Sequence, residues 1–155
     1  MTLECILEIS QALLTPVIAI ITTYIAYQQW QTNKQKLILD RYDRRLRVYE
    51  EVCKILSIIA RDADAGYEDL LKFRTSVSEA DFLFGSEVPE YIDEIYKRGL
   101  QLHSWNSQSR DGIQRPRAGY DSLKVENGIE AELTWLVEQF EPAKQKFKKY
   151  LDISK

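Results

Sequence analysis

Hydrophobic and polar positions divide this chain into one long apolar run followed by a series of amphipathic segments. From Ile9 to Asn33 the sequence reads ISQALLTPVIAIITTYIAYQQWQTN, with no charged side chain. As a helix these roughly 25 residues would extend about 37 Å, against a bilayer core of about 30 Å that needs about 20 residues. The most apolar part lies between Ala12 and Tyr27. Tyr24, Tyr27 and Trp30 gather at its C-terminal end, where an aromatic belt would sit. The remaining chain is too short and polar to enclose such a helix on all sides. The pattern predicts a transmembrane helix over residues 9–33, preceded by a short outer stub, residues 1–8.

Beyond Asn33 the apolar period is 3.6. Leu39, Tyr42, Leu46, Tyr49, Cys53, Leu56 and Ala60 recur at steps of three and four, and no Gly or Pro intervenes between Pro16 and Gly66. The span is thus expected to continue as a cytoplasmic stalk helix over 34–62, a rod of roughly 80 Å from Ile9 to Arg61. Further helices are expected over 67–76, 88–104 and 123–151, with Pro142 either ending the last of them or beginning a new turn there. Phe82, Leu83 and Phe84 between the first two of these read as core against the stalk. The segment NSQSRDGIQRPRAGYD, rich in Ser, Gly, Pro and Arg, reads as an exposed loop over 105–121. There is no strand-like alternation and no internal repeat. The expected fold is all-α: an N-terminal transmembrane helix, a stalk and a helical cytoplasmic domain spanning 34–155.

Charge sets the orientation. All 21 Lys and Arg residues follow Asn33, while Glu4 and Glu8 precede it. The positive-inside rule then places the N-terminus outside and the C-terminal part in the cytoplasm, as for a single-pass protein of a bacterial inner membrane. A cleaved signal peptide would need a basic n-region and a small-residue cleavage site, neither of which is found here. The net charge of −3 does not point to nucleic-acid binding through bulk charge.

Chemistry-bearing motifs are few. Cys5 and Cys53 fall on opposite sides of the proposed membrane and cannot pair within one chain, and His103 has no His or Cys close by in sequence. No phosphate-binding Gly-rich loop, nucleophile elbow or HExxH is present. No catalytic residue, metal site or cofactor is expected.

Two groups of residues are candidates for function. The first is a polar seam through the span: Gln11, Thr15, Ala19, Thr22, Ala26, Gln29 and Asn33, at steps of three and four. Small and hydroxylated residues at this spacing suit close helix–helix approach; in a ring of identical helices they could instead line a narrow aqueous path. A passive anchor that tolerates a few polar groups is the third alternative. The second group is basic. Lys36, Arg41, Arg44, Arg45 and Arg47 either fix topology beside anionic headgroups or offer an anionic ligand a ring of cations, with Trp30 or Tyr42 for base stacking. Arg110, Arg115 and Arg117 in the expected loop are a second anion-binding candidate, against a reading as a solvated linker. The basic tail KQKFKKYLDISK could lie on the inner leaflet or pack as a terminal helix.

The order of outer stub, single span and YQQWQTNKQKLILDRYDRRLRVYEEV resembles small single-span bacterial proteins encoded among mobile or defence genes. Its layout is also similar to the channel effectors of Hailong-type antiphage systems. The resemblance covers roughly residues 9–60 and rests on architecture rather than a diagnostic motif. It implies an oligomeric ion channel in the membrane, held closed by single-stranded DNA oligomers that a partner nucleotidyltransferase makes, and it carries no ligand contact onto a particular residue. The expected function is a homo-oligomeric effector, for which a tetramer is one possible count. Its pore would be gated by the cytoplasmic domain through a nucleotide or oligonucleotide. The alternative is a membrane-anchored scaffold or partner-binding subunit without channel activity.

Overall fold

The computed structural model describes the backbone of residues 3–114 and 121–152, and the side chains of Leu14, 16–113 and 121–152. It is all-helical, with no strand among the described residues: α1 Leu3–Asp62, α2 Tyr67–Ser76, α3 Ala80–Leu83, α4 Glu87–Gln114, α5 Ser122–Val137 and α6 Phe140–Lys148. By packing the chain forms two units, Met1–Asp40 and Arg41–Lys155.

The first unit consists of α1 alone, with Pro16 inside it. Every described side chain in it is exposed, including Ile20 at 70% and Leu37 at 65%. Among the described residues no helix is long and apolar enough to cross a membrane. The expected transmembrane helix over 9–33 is therefore not supported by them. In their part of the helix the apolar run gives way after Tyr27 to Gln28, Gln29, Gln31, Thr32 and Asn33, and the side chains before Leu14 lie outside the described residues.

In the second unit, α1 buries Val48, Val52, Ile55, Leu56 and Ile59, a stripe at helical spacing. The helix stops where Ala63 takes a positive φ of 54°, a conformation that costs a residue with a β-carbon roughly 1–2 kcal/mol. Asp64 holds the turn, its carboxylate accepting from the Ala65 amide at 2.9 Å. Glu68 and Asp69 then open α2 with charge suited to a helix N-terminus, and Arg74 closes it. Leu70 and Phe73 turn inward. Leu70 meets α4 where residue 99 has no side chain: a Cβ at Gly99 would lie 2.7 Å from Leu70 Cδ2. Val88, Tyr91, Ile92, Ile95 and Leu102 form the α4 face of the core, which Leu136 of α5 and Ala143 and Phe147 of α6 complete.

Three local expectations differ from what is observed. The third helix does not end at Ser104 but continues as α4 to Gln114, through the first part of the expected loop. Tertiary contacts override the local loop signal there: Trp105 packs on the bare backbone of Gly128, and Asn106 Nδ2 donates to the Ala63 carbonyl at 3.0 Å. The last helix, expected over 123–151, is two. α5 starts on an Asp121 cap, whose side chain accepts from Lys124 N at 3.1 Å, and it ends at Val137. At the break, Gln139 Nε2 donates to Trp135 O, and the Gln139 carbonyl accepts from Tyr91 Oη. Pro142 lies in the first turn of α6, where no amide donor is needed. Of the three residues expected as core at α3, Phe84 is buried and Leu83 half-buried, but Phe82 is 90% exposed.

Candidate functional site

The polar seam lies on α1, and the side chains of Gln11 and Thr15 fall outside the described residues. Ala19, Thr22, Ala26, Gln29 and Asn33 are all exposed. The described threonine hydroxyls of this part of the helix bond to its own backbone. Thr22 Oγ1 lies 2.9 Å from the Ile18 carbonyl and 3.0 Å from that of Ala19, Thr23 Oγ1 donates to Ala19 O, and Thr32 Oγ1 to Gln28 O. Such back-bonding removes the need for a water or a neighbouring helix at each hydroxyl. Beside the seam, Lys34 Nζ sits 3.9 Å from the centroid of the Trp30 ring, which has Tyr27 as its own aromatic neighbour.

The basic candidates separate into distinct environments. Arg45 is half-buried and spent on structure. Its Nε donates to Leu83 O at 3.0 Å and its Nη1 to Tyr150 O at 3.2 Å, and the guanidinium lies over the Phe84 and Tyr150 rings. Arg44 pairs with Glu79 at 3.3 Å and Arg110 with Asp64 at 3.4 Å. Both arginines are exposed, so each pair is worth about 0–1 kcal/mol. Lys36, Arg41 and Arg47 are exposed and make no ion pair among the described residues. Arg115 and Arg117 lie outside the described residues. The fold places Arg41, Arg44, Arg45 and Arg47 on one turn-and-a-half of α1, and Arg110 on α4 beside the α1–α2 turn.

Two clusters were not legible as such in the sequence. In one, Asp64 gathers Ala65 N, His103 Nδ1 at 3.2 Å and Arg110 Nη1, tying the end of α1 to the far half of α4. In the other, Tyr150 Oη donates to Glu87 Oε1 at 3.0 Å and accepts from Gly85 N at 3.1 Å, while Lys149 pairs with the same glutamate. The Lys149 ammonium, with help from the Tyr150 hydroxyl, holds the Glu87 carboxyl below the usual carboxylate range, and Glu87 in turn raises Lys149. Burial pushes the Tyr91 hydroxyl well above its ordinary value, keeping it neutral as a donor to Gln139 O. The Cys53 side chain raises Tyr49 through a hydrogen bond.

An open shelf of about 450 Å³ on α5 is lined by Asn127, Glu130, Ala131, Thr134, Trp135 and Glu138, and its carboxylates have the wrong sign for an anion. Among the described residues no group of three His, Cys, Asp or Glu side chains is placed to hold a metal. Among the described residues the fold and surfaces thus define an all-α protein whose N-terminal helix has every described side chain from Leu14 to Asp40 exposed, with a basic segment where its packed unit begins. Comparison of the chain with protein-family models, curated proteins and solved structures finds no match.

Proposed function

We propose that this chain is a single-pass membrane effector of bacteria that assembles with copies of itself. Its apolar N-terminal helix lies in the inner membrane and its helical domain in the cytoplasm, and it conducts ions under control of an anionic nucleotide or oligonucleotide. One observation carries the membrane reading: the large apolar side chains from Leu14 to Trp30 are all exposed, and nothing in their own unit covers them. Burying each would gain about 1.5–3 kcal/mol, and lipid or other copies of the helix are the available cover. The absence of Lys and Arg before Lys34 supports an N-terminus outside. Among the described candidates, Lys36, Arg41 and Arg47, with the weakly paired Arg44 and Arg110, remain for a phosphate and Arg45 does not; Arg115 and Arg117, outside the described residues, keep their place as candidates. Charge-assisted contacts of about 1.5–3 kcal/mol each would need to differ between two states by about 5.5 kcal/mol to move a gate from 1:99 to 99:1.

A second reading is an anchored scaffold without a pore. It is favoured by the self-satisfied hydroxyls of Thr22 and Thr32, which require no aqueous path. Liposome flotation and ion-flux recording on the full-length protein test both. The channel reading expects co-flotation and a flux that Thr22→Leu and Gln29→Leu abolish. Co-flotation without flux leaves the scaffold, and a protein that stays at the bottom of the gradient rules out both.

A further inference from the structure

The exposed helix carries a second periodicity. Ile18, Ile21, Ile25, Gln28, Thr32, Gln35 and Leu39 follow one another at alternating steps of three and four, the a and d positions of a heptad repeat, and all are exposed. We infer that this seam is a parallel, in-register interface with the same seam of a second copy of the chain. The inference rests on the self-assembly proposed above and assigns it a face different from the small and polar seam of Ala19, Thr22, Ala26 and Gln29.

Three observations select a second copy over lipid. From Gln28 to Lys36 the helix is QQWQTNKQK, polar nearly all round, so hydrocarbon cannot cover it. No ion pair among the described residues supports that stretch, although a polar helix with no packed face needs such support. Yet the seam closes on an apolar layer again at Leu39, 53% exposed and roughly 13 Å along the axis from Trp30. The consecutive polar layers Gln28, Thr32 and Gln35 are self-complementary. Against an identical helix in parallel register, the Gln28 and Gln35 amides each meet their own counterpart, while Thr32, whose hydroxyl is bonded within its own helix, adds a small layer between them. A parallel shift by one heptad would set Ile21 against Gln28, which is the way polar layers fix register in coiled coils. The common insertion of both copies proposed above makes them parallel, since an antiparallel copy centred on Thr32 would match the layers equally well. The Lys34–Trp30 stack lies on the opposite face, leaving the seam unobstructed. A repeat of seven residues also implies a left-handed supercoil.

Disulfide scanning in the full-length protein tests this, in a Cys5→Ser, Cys53→Ser background. Gln28→Cys, Gln35→Cys and Leu39→Cys are expected to shift most of the chain to twice its mass on non-reducing gels after mild oxidation. Asn33→Cys and Leu37→Cys, on the far face, are expected to stay at the monomer mass. Cross-linking at Asn33 in preference to Gln35, or at none of the five positions, overturns the seam. Flotation of the same samples separates the two proposals. Protein that floats without seam cross-links keeps the membrane reading and loses this interface. Protein that cross-links on the seam but does not float keeps the interface and loses the membrane reading.

Discussion

Gly128 of α5 lies so close to Trp105 of α4 that a Cβ at that position would sit 2.6 Å from the indole Cε2 and 2.9 Å from Nε1. The absent side chain lets two helices approach, and the half-buried indole, a rigid group, would have to shift as a whole to admit a methyl group. Gly128→Ala should therefore destabilise the packed unit by about 1–3 kcal/mol from overpacking, less about 1 kcal/mol returned by alanine's helix propensity. Urea unfolding followed by circular dichroism would show a lower midpoint at unchanged slope. An unchanged or raised midpoint would mean that the α4–α5 contact is looser than described.

Arg45 and Arg41 are neighbours in a basic run, but they should behave in opposite ways. Arg45 bonds the carbonyls of Leu83 and Tyr150, joining α1 to the ends of α3 and α6. Arg45→Ala leaves both acceptors without their charged donor in a half-buried setting, and a loss of about 2 kcal/mol is expected. Arg41→Ala touches no described partner and should stay within about 0.5 kcal/mol in stability, while lowering affinity for a fluorescent single-stranded oligonucleotide. Thermal melts and anisotropy titrations on the two variants separate these roles.

Glu87 gives a stability term with a defined sign in pH. Its carboxyl is lowered in the folded chain, first by Lys149 and then by the Tyr150 hydroxyl. A lowered carboxyl binds fewer protons folded than unfolded. Its contribution is therefore complete above the ordinary glutamate value of about 4.3 and is lost as pH falls from there through the lowered folded-state value. Glu87→Gln should melt below the wild-type protein at neutral pH, and the gap should close on acidification through that window. A gap that stays constant down to the acid limit would show that the carboxylate's charge contributes nothing to the Glu87–Lys149–Tyr150 cluster.

How much of this was legible in the sequence depends on the range of the determining contact. The helical course of α1 and the placement of α2 could be read from local period and from the Gly66 break, but that period sets the inward face one residue off. Of Leu39, Tyr42, Leu46, Tyr49, Cys53, Leu56 and Ala60 only Leu56 is buried, and the buried stripe is Val48, Val52, Ile55, Leu56 and Ile59. The far half of α4 could not. Asn106, Ser107, Gly112 and their neighbours carry a loop signal, and the contacts that hold them helical come from Gly128 and Ala63, distant in the chain. The split between α5 and α6 was half visible through Pro142, but not the Tyr91–Gln139 bond that seals it. In the candidate site, the sequence marks every arginine alike. Only packing distinguishes Arg45, bound to two carbonyls, from Arg41 and Arg47. The Glu87–Lys149–Tyr150 cluster joins residues over sixty positions apart, which no local pattern reports.

The C-terminal tail offers the sharpest test of the packed unit: of the two readings its composition allows, a segment on the inner leaflet or a packed terminal helix, α6 takes the second. Phe147 is fully buried, with the Tyr49 ring centroid at 5.4 Å and the Phe84 ring edge-on at 5.2 Å. The lysines around it face outward, Lys144 to Glu141, Lys149 to Glu87 and Lys146 over the Tyr91 ring. Phe147→Ala should cost about 3–5 kcal/mol, because the transfer term, the cavity and two aromatic contacts are lost together. Phe82→Ala, at a side chain 90% exposed, should change stability by less than about 0.5 kcal/mol. Paired urea melts of the two variants decide the matter. If Phe147→Ala proved as mild as Phe82→Ala, α6 would have to be detached from the core, and the aromatic packing described for Phe147 would not hold.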